Sequence, residues 1–474
     1  MKKNLGALVL SLLAAVPAAA VESTPTVLSL KDGGALVGDL AATPSFELEL
    51  PDGQFARAYT RGAATGKGWD GELVTIWEGH LAGFPDSEVS LTQRLGYTAG
   101  TVRLGRDRWY LFPDGHLEWI DPAKQLPCGS EAEEIPANFP EDNAQAKATA
   151  TIDLLAVYDS KFQRLAGGAP QAEVLITDAI VRANQGQRDS NAGAQYRLVG
   201  IVKLATDILS SDPISTLLIA PVPTLRDQYK ADLVQGYTGE LSGRDGAVGG
   251  VSNGYNGTPI GYASAVAYSQ LPYTVAAHEL GHNGGADHEP NTIHPPTQPS
   301  PARAYGFCPE DGSDGAGTIM QSLTGPLPGN CVWNQVNLFS SPLITVQGRP
   351  LGIAGQADNA LVLRRTAPQL AAFRGTCVPT ATRACLLGAS VSVEVPGGTA
   401  RAVEGLDGAA VFQLAGTNLV LVNAVCSVGK LNVTATANSL SDFSVTITSQ
   451  GRSTTIRHGR KKPVPVTNAS LPCG

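Results

Sequence analysis

Residues 275–290 read VAAHELGHNGGADHEP and contain three of the seven histidines of the 474-residue chain. His278 and His282 are four residues apart, so a helix places both imidazoles on one face, near enough to bind one ion. Two glycines then end the helix, and the turn after them allows His288 to supply a third nitrogen. Three nitrogens leave a zinc ion one open position for water, which is the arrangement of a catalytic site.

Glu279 directly follows the first histidine, and its offset of one position lets it reach the open side of the ion without ligating it. Zinc lowers the pKa of bound water from about 15.7 toward ~7. We predict that Glu279 takes the proton of that water and passes it to the leaving amine of a cleaved peptide bond. The alternative is a set of ordinary core or surface histidines with no metal. It requires a chance match to the whole spacing H-E-x-x-H-x-x-G-x-x-H.

The elements that must position this site are indicated by hydrophobic periodicity. IDLLAVYD (152–159) and YRLVGIVKLA (196–205) are typical of buried strands, and residues 170–190 between them have helical spacing. A strand, a long helix and a second strand predict an α/β crossover unit. TLRDQYKADLVQG (224–236) predicts a second helix.

The segments around the histidines complete this middle part of the chain. GYASAVAYS (261–269) predicts an exposed strand just before a third helix over 271–285. NALVLRRTAPQLAAFR (359–374) predicts a closing helix that is interrupted near Pro368.

The segment 21–125 is predicted to be rich in β-strands, because short stretches such as ELVTIW (72–77) alternate apolar and polar residues. It carries four of the five tryptophans, so we expect it to have a small core of its own. Residues 128–150 are acidic, rich in Ala and Pro, and lack periodicity. They predict a linker that could also be a cleavage region.

From Cys377 onward the helical pattern ends and short strands recur at the spacing of a β-sandwich. We predict a separate C-terminal β domain of about one hundred residues. Its role as a carbohydrate- or surface-binding module is a competing hypothesis for the main activity. The segment has only two aromatic residues, Phe412 and Phe443, so a targeting, secretion or stabilising role is favoured.

The N-terminus and the overall composition indicate where the protein works. Residues 1–20 combine two lysines, an apolar run and a small-residue cleavage site, which predicts a secretory signal peptide. No other stretch reaches the length of a membrane span. The chain has a net charge of −8, and no part of it has the basic excess of a nucleic-acid-binding domain. We therefore expect a secreted, extracellular protein, exported by way of the periplasm if the source is bacterial.

HELGHNGGADH resembles the signature of the metzincin zinc peptidases at every fixed position, and Met320 in GTIMQS matches the Met-turn of that clan, 32 residues after His288. Over about 150–375 the chain is most similar to secreted bacterial reprolysins (adamalysins). It departs from them at Thr318, where adamalysins have cysteine, and at Glu289, where they have aspartate. No tyrosine closely follows Met320, so the tyrosine ligand of astacins is absent.

The resemblance implies an α/β (α+β) metzincin-like catalytic domain with a twisted mixed sheet and an active-site helix. A β-rich N-terminal pro-domain and a C-terminal β-sandwich-like domain would flank it. The predicted boundaries are 1–20 for the signal peptide, 21–147 for the pro-domain with its linker, 148–376 for the catalytic domain and 377–474 for the C-terminal domain.

The resemblance also implies one catalytic zinc ion held by His278, His282 and His288, with calcium left open as a further ion. Substrates would be proteins or peptides. By analogy with metzincins, 261–269 would be the edge strand that pairs with them, and an ordinary core strand is the alternative. We expect a monomer without nucleic-acid partners. The competing hypothesis is a catalytically inactive adhesion or binding protein that keeps the fold; such proteins commonly lose the glutamate or a ligand, and this chain keeps all four groups.

The seven cysteines suggest both disulfides and a spare thiol. Six lie between Cys308 and Cys473, whereas Cys128 stands alone upstream in LPCG, which is similar to the cysteine-switch segment of metzincin propeptides. A thiolate is a strong zinc ligand, so Cys128 could displace the catalytic water and keep a zymogen silent. Disulfide rearrangement or an inert thiol remain alternatives. Cys308 and Cys331 bracket Met320 and could pair, although six cysteines allow 15 connectivities.

Overall fold

The computed structural model of the protein describes twenty-one stretches of the chain. They are 29–30, 36–37, 39–49, 55–105, 107–130, 149–243, 246–255, 261–289, 300–309, 315–321, 333–374, 383–386, 389–396, 398–406, 409–413, 419–427, 430–437, 442–449, 452–458, 466–467 and 471–472. The predicted signal peptide at 1–20 and most of the linker predicted at 128–150, namely residues 131–148, lie outside them. So do all three predicted domain boundaries, which stay predictions.

The N-terminal part is an antiparallel sheet of seven strands in which each strand pairs with the next along the chain. Alternation produces it, because in a strand such as LVTIWEGHL every second side chain is buried. Its core includes Phe46, Trp77, Leu91 and Val102. After the short pair β1 (Ser29–Leu30) and β2 (Leu36–Val37), the strands are β3 (Ser45–Glu49), β4 (Phe55–Lys67), β5 (Leu73–Leu81), β6 (Phe84–Arg94), β7 (Tyr97–Leu104), β8 (Asp107–Leu111) and β9 (Leu117–Trp119).

The middle part is a mixed α/β fold built on a five-stranded sheet. Its helices are α1 (Ser160–Ala166), α2 (Ala169–Asp189), α3 (Pro213–Leu218), α4 (Val222–Tyr229), α5 (Val275–Asn283) and α6 (Asn359–Leu370). Its strands are β10 (Ala150–Tyr158), β11 (Ala194–Lys203), β12 (Leu233–Thr238), β13 (Leu241–Gly243), β14 (Gly246–Val248), β15 (Gly250–Ser252), β16 (Ala263–Ala267), β17 (Gly306–Phe307), β18 (Gly315–Gly317), β19 (Trp333–Gln335), β20 (Ser341–Val346) and β21 (Arg349–Leu351).

The five-stranded sheet has the order β11-β10-β12-β16-β15. Strands β10 and β11 are parallel and joined through α1 and α2, which is the crossover that the sequence predicts. Strand β15 pairs antiparallel to β16 and forms the edge. The prediction that 261–269 holds an exposed edge strand is therefore wrong: every residue of β16 is buried between two neighbouring strands.

Two further expectations for the middle part need correction. The segment 224–236 is not one helix, because α4 ends at Tyr229 and Lys230 adopts φ +55° before β12 begins. Helix α6 runs through Pro368 to Leu370, so the interruption expected at that proline is absent.

The C-terminal part consists of two antiparallel sheets, and their packing as a sandwich stays a prediction. No helix among the described residues is long and apolar enough to cross a membrane. The strands are β22 (Arg383–Leu386), β23 (Ala389–Val395), β24 (Gly398–Thr399), β25 (Arg401–Leu406), β26 (Ala409–Gln413), β27 (Leu419–Ser427), β28 (Lys430–Ala437), β29 (Phe443–Ser449), β30 (Arg452–His458), β31 (Val466–Thr467) and β32 (Leu471–Pro472).

Candidate active site

Helix α5 carries the first two histidines, and all nine of its residues are buried. The helix ends at Asn283, and the chain turns at Gly285, whose φ of +88° is in the left-handed region that glycine adopts without strain. This turn brings His288 back beside the helix. The sequence predicts the helix, the turn and the return of the third imidazole.

The three imidazoles converge on one point. Nε2 of His278 lies 2.9 Å from Nε2 of His288, and Nε2 of His282 lies 3.1 Å from each of the other two. Zinc–nitrogen bonds of about 2.0–2.1 Å place tetrahedral ligand nitrogens about 3.4 Å apart, so the observed triangle has nearly the size that zinc needs.

Backbone carbonyls hold two of the rings in a single tautomer. Nδ1 of His278 is 2.7 Å from the Ile319 carbonyl, and Nδ1 of His282 is 3.0 Å from the Ala286 carbonyl. Because a carbonyl only accepts, each Nδ1 carries the proton and each Nε2 presents a lone pair. Burial lowers the pKa of His278 to about 3 and that of His282 to about 4, so both rings are neutral. Two facing lone pairs repel each other unless a cation lies between them, and the donor set therefore fits zinc.

Met320 is fully buried and packs against helix α5 at Gly281, which lies between His278 and His282 in the sequence. Its sulfur packs so close to the helix that a Cβ on Gly281 would lie 2.4 Å from Met320 Sδ. The preceding residue, Ile319, provides the carbonyl that orients His278. The turn containing Met320 thus sets both the packing against helix α5 and the orientation of the His278 ring.

Glu279 is completely buried beside the imidazoles. Burial raises its pKa to about 8, against hydrogen bonds from Cys128 and Ser130 that lower it. A Cβ on Gly250 would lie 2.5 Å from Glu279 Oε1, so the glycine at the start of the edge strand leaves room for the carboxyl group.

The segment 126–130 lies along the edge strand β15 and runs parallel to it, with Cys128 opposite Gly250. Gly249 N–H donates to the Pro127 carbonyl and Gly129 N–H donates to the Gly250 carbonyl, both at 2.8 Å. The segment is held by main-chain hydrogen bonds of the kind that add a strand to a sheet.

These main-chain bonds bring Cys128 to the imidazoles. Its Sγ is 3.5 Å from His282 Nε2 and 3.4 Å from Glu279 Oε1, and the sulfur and the three imidazole nitrogens all lie within 4.8 Å of one another. Burial and the Glu279 carboxyl raise the pKa of the thiol well above its usual range. A thiolate at this position therefore requires a cation, and the sulfur lies where a fourth ligand of that cation would be.

Ser130 also contacts the site, although no role for this residue is predicted in the sequence analysis. Its hydroxyl donates to Glu279 Oε2 at 3.2 Å and accepts from Ser252 N–H at 2.8 Å, while its own N–H donates to Cys128 Sγ at 3.3 Å. The position of Ser130 two residues after Cys128 indicates this contact, because in an extended chain residues two apart face the same side. The short edge strand β15 was missed as well.

The structure thus brings together Glu279, Met320 and the four predicted ligand side chains; their chemical roles stay predictions. Cys308 is disulfide-bonded. Its predicted pairing with Cys331 is untested, because Cys331 lies outside the described residues.

The sequence comparisons match this chain to metallopeptidases. Residues 148–340 match the sequence profile of metallo-peptidase family M12, of the reprolysin type. A peptidyl-Asp metalloendopeptidase of Xanthomonas campestris is 29% identical over 381 residues, which cover 72% of this chain and 84% of the relative. A peptidyl-Asp metalloendopeptidase of Stenotrophomonas maltophilia is 27% identical over 312 residues, 61% of this chain and 71% of the relative. The crystal structure of metalloproteinase-II from Bacteroides fragilis aligns with a TM-score of 0.35 and 15% identity, over 53% of this chain and 83% of that one.

Proposed function

This chain is a metzincin-like zinc metalloendopeptidase with an M12 domain at residues 148–340, and we propose that it is made as a secreted zymogen whose Glu279 is the general base. The observation that carries the proposal is the meeting of Cys128, three imidazoles and Glu279 in one buried cluster. We extend to this chain the cleavage beside aspartate that the names of its relatives state.

The residues of the chain divide the work of peptide hydrolysis among them. His278, His282 and His288 would hold zinc through their Nε2 atoms. Bound zinc supplies a Lewis acid that polarises the peptide carbonyl and acidifies water. Glu279, whose Oε1 lies 3.4 Å from Cys128 Sγ, would take a proton from water and return it to the leaving amine. The edge strand β15, which now pairs with 126–130, would pair with an extended substrate after that segment leaves.

Latency follows from the same contacts. Cys128, beside His282, would take the place of the attacking water, and the Ser130 hydroxyl donates a hydrogen bond to Glu279, the proposed general base. A substrate therefore has neither the edge strand nor the proton acceptor available. Cleavage in 131–147 and departure of the N-terminal part would free both. In this scheme 1–20 directs export, 21–147 inhibits, 148–376 cleaves and 377–474 has a supporting role. No observation favours the inactive adhesion protein.

The test is peptide hydrolysis by the processed enzyme, with zinc content measured in parallel. Glu279→Gln should keep one zinc per chain and lose about 10²–10⁴-fold in kcat/KM, because general-base catalysis contributes that much. A strong chelator should abolish the activity of the wild-type enzyme, and added zinc should restore it. Glu240→Gln, at an exposed glutamate, is the matched control and should behave as wild type. Undiminished cleavage by Glu279→Gln would refute the assignment of the base, and activity that survives full removal of zinc would refute the proposed function.

A further inference from the structure

A cavity of about 660 Å³ lies at the N-terminal end of the active-site helix α5, between the middle part of the chain and the N-terminal sheet. Residues of the middle part that line it include Arg182 of α2 and Thr274, which directly precedes α5. Arg103 and Arg108 of the N-terminal sheet line the opposite wall. Thr274 is four residues before His278, so the cavity begins about 6 Å, one helical turn, from a zinc ligand.

Thr274 is a polar group without a polar partner. It is 8% exposed, and its Oγ1 atom is buried with no hydrogen-bond partner among the described residues. It stands at the N-cap position of α5 but makes no capping hydrogen bond there. A buried hydroxyl left unpaired costs about 1–3 kcal/mol, so a ligand that accepts its proton would be stabilised.

The end of the helix itself favours a negative charge. The first-turn N–H groups of a helix have no partners within the helix and carry a partial positive charge. The first turn of α5 contains no acidic side chain that could balance it. Thr274 and the helix therefore point to the same kind of ligand, an anion.

Arg182 places a full positive charge beside this end of the helix. Its guanidinium donates to the carbonyls of Tyr273 at 3.0 Å and Leu271 at 2.5 Å, just ahead of Thr274, and pairs with Asp178 at 2.9 Å. The cavity walls also carry Glu78, Glu88 and Asp189, each of which is paired with Arg103 or Arg188. The positive charge beside the end of α5 is therefore that of Arg182, which stays in place when the N-terminal sheet leaves.

We propose that this cavity receives the carboxylate side chain of the substrate residue next to the cleaved bond, with the Thr274 hydroxyl donating to it and Arg182 stabilising its charge. The proposal rests on the proposed endopeptidase function and gives its aspartyl preference a physical origin. One helical turn from the ligand His278 is within the reach of one or two residues of an extended peptide, which advances about 3.3 Å per residue. In the zymogen the arginines of the N-terminal sheet close the cavity, and removal of that sheet opens it.

The test compares two peptides that differ only by Asp or Asn at one position, cleaved by enzyme processed from the folded full chain. Mass spectrometry locates the cut, and the ratio of the two kcat/KM values measures the preference for the charged side chain. We expect the wild-type ratio to exceed tenfold and Thr274→Val to reduce it about tenfold, because one hydrogen bond to a charged group is lost. Thr274→Ser keeps the hydroxyl and should keep the ratio.

The controls separate this inference from the function on which it rests. Thr206→Val makes the same change at an exposed loop residue and should leave the ratio at its wild-type value. If the zinc-loaded wild-type enzyme cleaves neither peptide, the proposed function fails. If it cleaves both but shows no preference for Asp, or if Thr274→Val leaves the preference intact, the carboxylate site is refuted and the endopeptidase function stands.

Discussion

The two histidines of α5 are fixed by more than their spacing. A separation of four residues places the rings on one face, but the tautomer depends on which carbonyl meets each Nδ1. The Ile319 carbonyl does this for His278 from 41 residues away in the chain, and the Ala286 carbonyl does it for His282. The turn that contains Met320 is thus coupled to the ligands through its backbone as well as through the methionine side chain.

The contact between Gly281 and Met320 can be tested by adding a single methyl group. Gly281→Ala places a Cβ 2.4 Å from Met320 Sδ and 3.2 Å from a ring carbon of Phe339, and both side chains are fully buried. Overpacking of this kind costs about 1–3 kcal/mol, which exceeds the gain of about 0.5–1 kcal/mol from helix propensity. We expect a lower melting temperature and weaker zinc binding, measured by thermal unfolding and by competition with a chelator.

Two further variants test whether the contact between residue 281 and Met320 causes the lower melting temperature and the weaker zinc binding. Gly62→Ala adds a methyl group where nothing lies within 4 Å and should leave both measurements unchanged. Met320→Ala combined with Gly281→Ala removes the opposing sulfur and should recover part of the lost zinc affinity. Full zinc affinity in the Gly281→Ala single variant would show that Met320 shifts to accommodate the methyl group without moving the three histidines.

At the scale of elements, the segment 126–130 pairs with the sheet as an added strand and directs two side chains into the site. The main chain pairs with β15, while Cys128 reaches the imidazoles and Ser130 reaches Glu279. In the proposed zymogen the two side chains would block different functions: the thiol would take the place of the attacking water, and the hydroxyl would occupy the proton acceptor.

Separate substitutions should resolve these two contributions in the unprocessed chain. We expect Cys128→Ala to raise basal peptide hydrolysis well above wild type, because the zinc ligand is lost. Ser130→Ala should raise it much less, because a neutral hydroxyl is displaced more readily than a thiolate on zinc. Initial rates with a quenched-fluorescent peptide measure both, and Ser242→Ala, at an exposed serine, is the control. Equal rates for wild type and Cys128→Ala would show that the thiol does not maintain latency.

Elements with strong periodicity could be predicted from the sequence, whereas short elements could not. The strand at 152–159, the helix at 170–190 and the helix that carries the histidines form where expected, within a few residues. The edge strand β15 has three residues in a glycine-rich stretch, so no alternation was visible. The strand β12 in the run ADLVQG could not be predicted separately. Helix α4 directly precedes it, so the sequence predicts a single helix over 224–236. The contacts of Ser130 and Thr274 depend on long-range packing that periodicity does not encode.

At the scale of the whole molecule, the N-terminal sheet docks on α2 through polar contacts at a mostly buried interface. Asp178 of α2 is fully buried and accepts hydrogen bonds from Tyr110 at 2.9 Å and Thr92 at 3.0 Å, both in the N-terminal sheet. Arg94 of the sheet pairs with Glu173 of α2 at 3.1 Å. Since Asp178 also holds Arg182, the docking surface is continuous with the end of the active-site helix.

This interface predicts that the N-terminal part remains bound after a single cleavage in 131–147, because the docking contacts described above are made by residues that precede that segment. The cleaved enzyme should elute as one species in gel filtration and should stay inhibited until the N-terminal part dissociates or is degraded. Tyr110→Phe removes a buried hydrogen bond to a carboxylate, worth about 1.5–3 kcal/mol, and should weaken the association about ten- to a hundredfold. Tyr97→Phe, whose hydroxyl has no hydrogen bond in the part of the chain that the structure describes, should elute as wild type. Immediate separation of the wild-type fragments would mean that the linker, and not the buried carboxylate of α2, keeps the inhibitor in place.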